Sequence, residues 1–169
     1  MGKGTKINFI TRSGIGYDVH ALSKGKSLIM GGVKIPSEKG SVGHSDGDAL
    51  THSIVDALLG AAALGDIGIF FPSHEKKWEG ANSIDFVCYA VEKISEAGFK
   101  ISNIDSTVIL QKPKIQKFIP SIREALSDAM EIKKSQISIK ATTTDYLGFV
   151  GNSSGWSCQT IATIYKNKK

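Results

Sequence analysis

From Ala49 the apolar positions recur at spacings of three and four: Leu50, Ile54, Ala57, Leu58, Ala61 and Ala62. That period predicts a helix beginning at Ala49, with Gly65 as its stop. Ile84, Val87, Cys88, Val91 and Ile94 form a second such stripe, with Asn82 or Ser83 as the cap and Gly98 as the end. A third helix is expected from Pro120, which suits a first turn, to about Glu131. Between the helices the pattern shortens to strands at Ile15–His20, Ile104–Leu110, Ile137–Ala141 and Trp156–Tyr165. Ser27–Met30 and Val33–Ile35 flank Gly31-Gly32, a two-residue hairpin signal. Pro36–Gly43 reads as a loop, and residues 66–80 as a connection long enough to suggest a functional role. No internal repeat, linker or low-complexity segment interrupts the order. The succession predicts a single α+β domain spanning residues 1–169, two layers deep, with helices on one face of a mixed sheet.

The bulk properties leave that picture in place. A chain of 169 residues, 41% hydrophobic and 22% charged, supports one core. The run Leu50–Leu64 is broken by His52, Ser53 and Asp56, so no membrane span is expected. The first residues lead into no apolar h-region, so no secretory signal is expected and a cytoplasmic location is. The net charge of +5 sits at the ends: Lys3, Lys6 and Arg12 in the polar start 1–12, and Lys166, Lys168 and Lys169 in the tail. Setting aside these six of the 21 cations leaves 15 against 16 acidic residues, a net of about −1. Without a basic stripe interleaved with aromatics, no nucleic-acid partner is expected. Cys88 and Cys158 form no CxxC and read as buried thiols in a reducing compartment.

The chemistry gathers in two short stretches, Gly16–His20 and His44–His52, which hold three of the four histidines. On a strand, Asp18 and His20 share a face roughly 7 Å apart, within reach of one ion. On the helix, His52 shares a face with Asp48 and Asp56, so it could ligate through one nitrogen while Asp56 holds the other. Three protein ligands with an open fourth position is the pattern of a catalytic zinc. The plainer reading makes Asp18 and His20 a surface polar pair and His52 a satisfied core histidine; the second cluster favours the metal. His44 lies before the helix and suits donation to a substrate phosphate better than ligation. Asp46 and Asp48 fit turn and cap roles. In Lys140–Asp145 three successive threonine hydroxyls could donate to phosphate and Asp145 could hold a hard divalent ion. Lys112-Pro113-Lys114 could offer backbone groups to a base or be an ordinary turn, and Asp66 could simply cap a turn after Gly65.

With these residues in hand, the sequence resembles the 2-C-methyl-D-erythritol 2,4-cyclodiphosphate synthase family. The resemblance is carried by Gly16-Tyr-Asp-Val-His20, Gly31-Gly-Val-Lys-Ile-Pro36, His44-Ser-Asp-Gly-Asp48 with His52, and Asp56 through Gly68. Phe71-Pro72, Pro113-Lys114, Ala141-Thr-Thr-Thr144 and Leu147-Gly-Phe149 continue it in family order. It implies a chorismate-mutase-like homotrimer with active sites between subunits, in the bacterial cytoplasm or, after removal of a transit segment, in a plastid. It implies that Asp18, His20 and His52 bind zinc, that Asp56 supports His52, and that Asp145 helps hold a second divalent ion, Mg2+ or Mn2+, at the diphosphate. His44 and Thr143 would stabilise the transition state and Ser45 would hold phosphate. Asp66, Ile67 and Gly68, with Phe71, Pro72, Ser73, His74 and Glu75, would hold the methylerythritol part. Leu110, Gln111, Lys112, Pro113, Lys114, Ile115 and Gln116 would cradle the cytidine, completed by Thr142, Thr143, Thr144, Asp145, Phe149 and Asn152. The family commonly has Glu at Asp145, Arg at Asn152, Asp at Ser73 and Glu at Gln159, where it faces the trimer's central cavity. The rival readings are a zinc-dependent phosphohydrolase and a non-catalytic trimeric metal-binding scaffold.

Overall fold

A computed structural model describes residues 8–168. Lys3, Lys6 and Lys169, half of the terminal cations, lie outside the described residues. Five strands form one sheet in the order β4-β1-β7-β5-β6. They are β1 (Phe9–Lys24), β4 (Lys39–Val42), β5 (Lys100–Ile109), β6 (Ile137–Thr142) and β7 (Gly155–Asn167). β1 pairs antiparallel with β4 and β7, and β5 pairs antiparallel with β7 but parallel with β6, so the sheet is mixed as expected. A parallel neighbour needs a crossover, and the helix α4 (Ile119–Ala129) supplies it. β2 (Leu28–Met30) and β3 (Val33–Ile35) make the separate hairpin. Its turn residues Gly31 and Gly32 have φ of 58° and 74°, the left-handed pair that a tight hairpin requires.

Several bounds differ from expectation: β5 begins at Lys100 rather than Ile104, and β1 runs on to Lys24. The first strand begins at Phe9 rather than Ile15, because the polar residues Thr11, Arg12 and Ser13 alternate along an edge-to-edge pairing with β7 that runs from Phe9↔Asn167 to Ala21↔Gly155. The stretch read as a loop, Pro36–Gly43, contains the short edge strand β4. The connection 66–80 is not bare either: it holds the single-turn helix α2 (Ile67–Phe70), capped by Asp66 Oδ1 on the Ile69 N–H at 3.1 Å.

α1 (Ala49–Ala62) lies against β1 and β7 and is covered in turn by α3 (Ser83–Glu96). Being packed on two sides, it is buried almost all round, which its small and apolar residues permit. Ile54, Leu58, Val87, Ile104, Leu126 and Trp156 form the centre of the resulting core. Asp48 is fully buried (0% exposed) yet satisfied: it caps α1 through the Thr51 N–H (3.0 Å) and accepts from Thr51 Oγ1 (2.7 Å) and from the Gly32 N–H (2.8 Å). One carboxylate thus pins the hairpin to the start of α1. Among the described residues no helix covers the opposite sheet face, which presents Ile15, Tyr17 and Ile161 at 61, 55 and 50% exposure. No helix among the described residues is long and apolar enough to cross a membrane.

The two thiols are not alike. Cys158 is buried, and that burial pushes its pKa up to about 12. Cys88 was expected inside but is exposed, because α3 turns Val87 and Ala90 to the core and Cys88 away from it. A disulfide-exchange reagent at mildly alkaline pH should therefore titrate one thiol per native chain and two after denaturation. Two thiols reacting in the native protein would contradict this packing.

Candidate metal centre and its two clefts

Gly14 and Gly16 decide how near α1 can come to β1. A Cβ at Gly16 would sit 1.9 Å from the Ser53 carbonyl oxygen, and one at Gly14 would sit 2.2 Å from that of Ala57. Only hydrogen at these positions lets the helix backbone lie directly on the strand. Two and four residues further along the same strand face come Asp18 and His20, and one residue before Ser53 comes His52. The close approach therefore brings three ligand-type side chains to one point. Asp18 Oδ2 lies 2.9 Å from His20 Nδ1 and 3.0 Å from His52 Nδ1. One ligand atom from each of the three lies within 4.8 Å of the others.

The electrostatics suit a cation. Burial alone would raise the Asp18 carboxyl, but the close approach of the His20 and His52 imidazoles outweighs it and holds it well below the usual carboxylate range. Burial opposes charging of His52, yet the bond to Asp18 and the charges of Asp18, Asp48 and Asp46 raise its pKa. His20 Nδ1 is buried and close to Asp18 but has no hydrogen-bond partner, because the ring is not turned to donate along that line. A buried orphan nitrogen beside an ionised carboxylate and a second imidazole is what a metal ion would satisfy. One oxygen and two nitrogens match the donor set of zinc-type sites.

A cleft of about 280 Å³ opens beside these residues. It is lined by His20, His44, Ser45, His52, Ile67, Gly68, Phe71 and Ser73 from the expected set. His44 Nε2 is tied to the Glu75 carbonyl at 3.2 Å, which joins it to the 71–80 loop, and Ser45 Oγ lies 3.1 Å from His52 Nε2. Pro72 and His74 belong to the same loop without lining the cleft. Asp56 is placed differently from expectation. Its carboxylate accepts from the Ile67 N–H at 2.8 Å and does not hold the His52 ring. At four residues' spacing it shares the helix face, but its carboxylate is taken up by the 66–68 turn. Burial and the charges of Asp66 and Asp18 raise its pKa.

A second, larger cleft of about 930 Å³ is lined by Leu110, Gln111, Lys112, Pro113, Lys114, Ile115, Gln116, Thr142 and Thr143. Within one chain the two clefts share no lining residue. Thr144 donates to the Leu147 carbonyl at 2.7 Å, and Asp145 Oδ1 accepts from Thr143 Oγ1 at 3.2 Å. Asp145 and Tyr146 both have left-handed φ, 49° and 68°, and the turn they form leads into the short helix α5 (Gly148–Gly151) that carries Phe149. Asn152 spends its side-chain oxygen on the Ser154 N–H at 2.9 Å.

Several site residues escaped the sequence reading. Trp78 and Phe86 wall the small cleft and pack edge to face, and Phe86 lies near-parallel to His52. Their aromatic type was visible, but not the fold of the 71–80 loop over α3. Tyr146 lines the large cleft and is 74% exposed. Ser83, assigned only a cap role, reaches His52 Nε2 at 2.8 Å.

The chain is similar to known proteins in both sequence and fold. The sequence model of the YgbB family matches residues 11–165. A Clostridium perfringens 2-C-methyl-D-erythritol 2,4-cyclodiphosphate synthase is 51% identical over 155 residues, 92% of this chain and 99% of the relative. The same-named protein of Treponema denticola is 52% identical over 140 residues, 83% and 87% of the two chains. Among solved structures, Plasmodium falciparum IspF in complex with CDP superposes with a TM-score of 0.82 at 37% identity, covering 94% of this chain and 97% of that one. The bifunctional IspDF of Campylobacter jejuni superposes with a TM-score of 0.91 at 37% identity, covering 94% of this chain and 43% of that one. The chain belongs to the YgbB family, whose curated relatives are 2-C-methyl-D-erythritol 2,4-cyclodiphosphate synthases.

Proposed function

We propose that the protein converts 4-diphosphocytidyl-2-C-methyl-D-erythritol 2-phosphate into 2-C-methyl-D-erythritol 2,4-cyclodiphosphate and CMP. An oxygen of the substrate's own 2-phosphate attacks the β-phosphorus. The bond from that phosphorus to the oxygen bridging it to the α-phosphate breaks, and its electron pair leaves with CMP. The observation that carries the reading is the convergence of Asp18, His20 and His52 beside the cleft that holds His44 and Ser45.

Nucleophile and electrophile belong to one molecule, so positioning and charge neutralisation supply most of the catalysis. Asp18, His20 and His52 would hold zinc, and Asp145 a Mg2+ or Mn2+ ion with the diphosphate; such ions supply Lewis-acid neutralisation of phosphoryl oxygens. His44 and Ser45 donate to the phosphates at the small cleft. The Asp66-Ile67-Gly68 turn, held by Asp56 and by its own cap, presents the methylerythritol contacts together with Phe71, Pro72, Ser73, His74 and Glu75. Leu110–Gln116 and Thr142–Thr143 bind the cytidine end, with Thr143 assigned to stabilise the transferred charge.

Because the two clefts are separate within one chain, we place the metal half and the nucleotide half of each site on neighbouring subunits of a homotrimer. The uncovered sheet face with Ile15, Tyr17 and Ile161 supports that assembly, since apolar patches of this kind mark interaction surfaces. Incubation with the cytidyl substrate and a divalent cation should yield one CMP per substrate consumed, read by chromatography. Release of inorganic phosphate, or no CMP from metal-loaded protein, would overturn the proposal.

A further inference from the structure

Ser83 is the first residue of α3 and is fully buried (0% exposed). Its backbone N–H donates to Asp46 Oδ2 at 2.9 Å, and its hydroxyl donates to Asp46 Oδ1. The same carboxylate oxygen accepts the Asp48 N–H at 3.2 Å, and the Asp46 N–H is bound to the Ala81 carbonyl at 3.1 Å, so Asp46 is fixed from both sides. An ionised carboxylate only accepts hydrogen bonds, so the Ser83 proton is committed to it. That leaves the Ser83 oxygen lone pairs for the one polar atom they face, His52 Nε2 at 2.8 Å.

The direction of this chain has a consequence for the metal centre. With the Ser83 oxygen as acceptor, Nε2 keeps its proton, so Nδ1, which here bonds Asp18 at 3.0 Å, is the nitrogen that gives up its proton to present a lone pair when an ion binds. Ser45 Oγ also lies near Nε2, at 3.1 Å, but it lines the cleft and its proton is not committed to a carboxylate. Ligating imidazoles generally have their second nitrogen held by a carboxylate, a carbonyl or water. Here the carboxylate acts through a hydroxyl.

We propose that Ser83, backed by Asp46, is a positioning residue that fixes the tautomer and ring orientation of His52 for metal ligation. The inference rests on the metal reading of Asp18, His20 and His52. It also gives the second aspartate of the 44–52 stretch a role beyond the turn: Asp46 ties the start of α3 to a metal ligand on α1.

The test compares wild type, Ser83→Ala and Asp46→Asn. Zinc affinity is measured by competition with a chromophoric chelator, and the His52 ring protons are read in a long-range proton–nitrogen correlation spectrum of the zinc-loaded protein. Wild type should show His52 with its proton on Nε2. Ser83→Ala should bind zinc about 10–100-fold more weakly, the usual consequence of losing an outer partner of a metal ligand, and should lose the protected Nε2 proton. In Asp46→Asn the amide can donate to the Ser83 oxygen, turning the hydroxyl proton toward Nε2 and favouring the tautomer with the proton on Nδ1. A loss of similar size is expected there, and this variant decides the matter alone if Ser83→Ala does not fold. Affinity within about threefold of wild type, or an unchanged protected Nε2 proton in the variants, overturns the inference and leaves the metal reading standing. Wild type that holds no zinc overturns both.

Discussion

Replacing His52 with alanine should remove the zinc and lower kcat/KM by about a thousandfold or more. The size follows from the several kcal/mol of transition-state neutralisation that a metal gives to a phosphoryl group, at about 1.4 kcal/mol per factor of ten. His52 is the ligand that bridges the two halves of the centre. It reaches Asp18 on β1 through Nδ1 while its ring lies against Phe86 of α3. Truncation also leaves Asp18 and His20 in place on one strand, a two-ligand remnant too weak to retain an ion at ordinary free concentrations. The fold should survive, since the ring is buried among aromatic and polar neighbours rather than at the core's centre, and the cost should be about 1–3 kcal/mol. Elemental analysis, the melting curve and sedimentation together check this: zinc absent, a modest fall in Tm, and an unchanged assembly. Zinc retained at one per chain would remove His52 from the ligand set.

Gly16→Ala should be the most damaging single-methyl change in the chain. The new Cβ would meet the Ser53 carbonyl oxygen at 1.9 Å and the Ala57 nitrogen at 2.8 Å, both backbone atoms of α1 that no rotamer change can move. The helix must shift away from β1 by more than an ångström, which opens the core along its best-packed seam. We expect a loss of about 3 kcal/mol or more, at the upper end for overpacking, and a fall in Tm of roughly 6–12 °C. The same shift separates His52 from Asp18 and His20, so zinc affinity should fall with stability, although no ligand is altered. Gly60→Ala is the matched comparison. It lies on the exposed side of the same helix with nothing within 4 Å of the new methyl, and should gain about 0.5–1 kcal/mol. Gly16→Ala melting like wild type would mean that the glycine does not set the spacing between β1 and α1.

What the sequence made legible follows the physics of each element. α3 and α4 announce themselves because one face of each meets the core, so apolar residues recur every three or four positions, and α1 because its small and apolar residues suit packing on two sides. The candidate metal ligands were legible because they sit at local spacings, i and i+2 on a strand and a face of a helix. What joins the two stretches was not: the glycines at 14 and 16 read as ordinary small residues until the helix is laid upon them. Asp56 shows the limit of face arguments, since sharing a helical face with His52 says nothing of the turn at Ile67 that takes its hydrogen bond instead. Ser83 shows the reverse, a residue with an ordinary capping position whose side chain reaches the site across thirty-one residues of sequence. The extent of β1 beyond Ile15 was hidden because its edge residues are polar, and pairing rather than burial defines them there.

The central claim is that the phosphate nucleophile is the substrate's own, with water taking no part. Running the reaction in heavy-oxygen water tests it directly. Mass spectrometry of both products should find no heavy oxygen in CMP and none in the cyclic diphosphate. One heavy oxygen atom in CMP, or in a linear phosphate product formed in place of the cyclic diphosphate, would show that water, not the 2-phosphate, attacked, and would make the protein a phosphohydrolase.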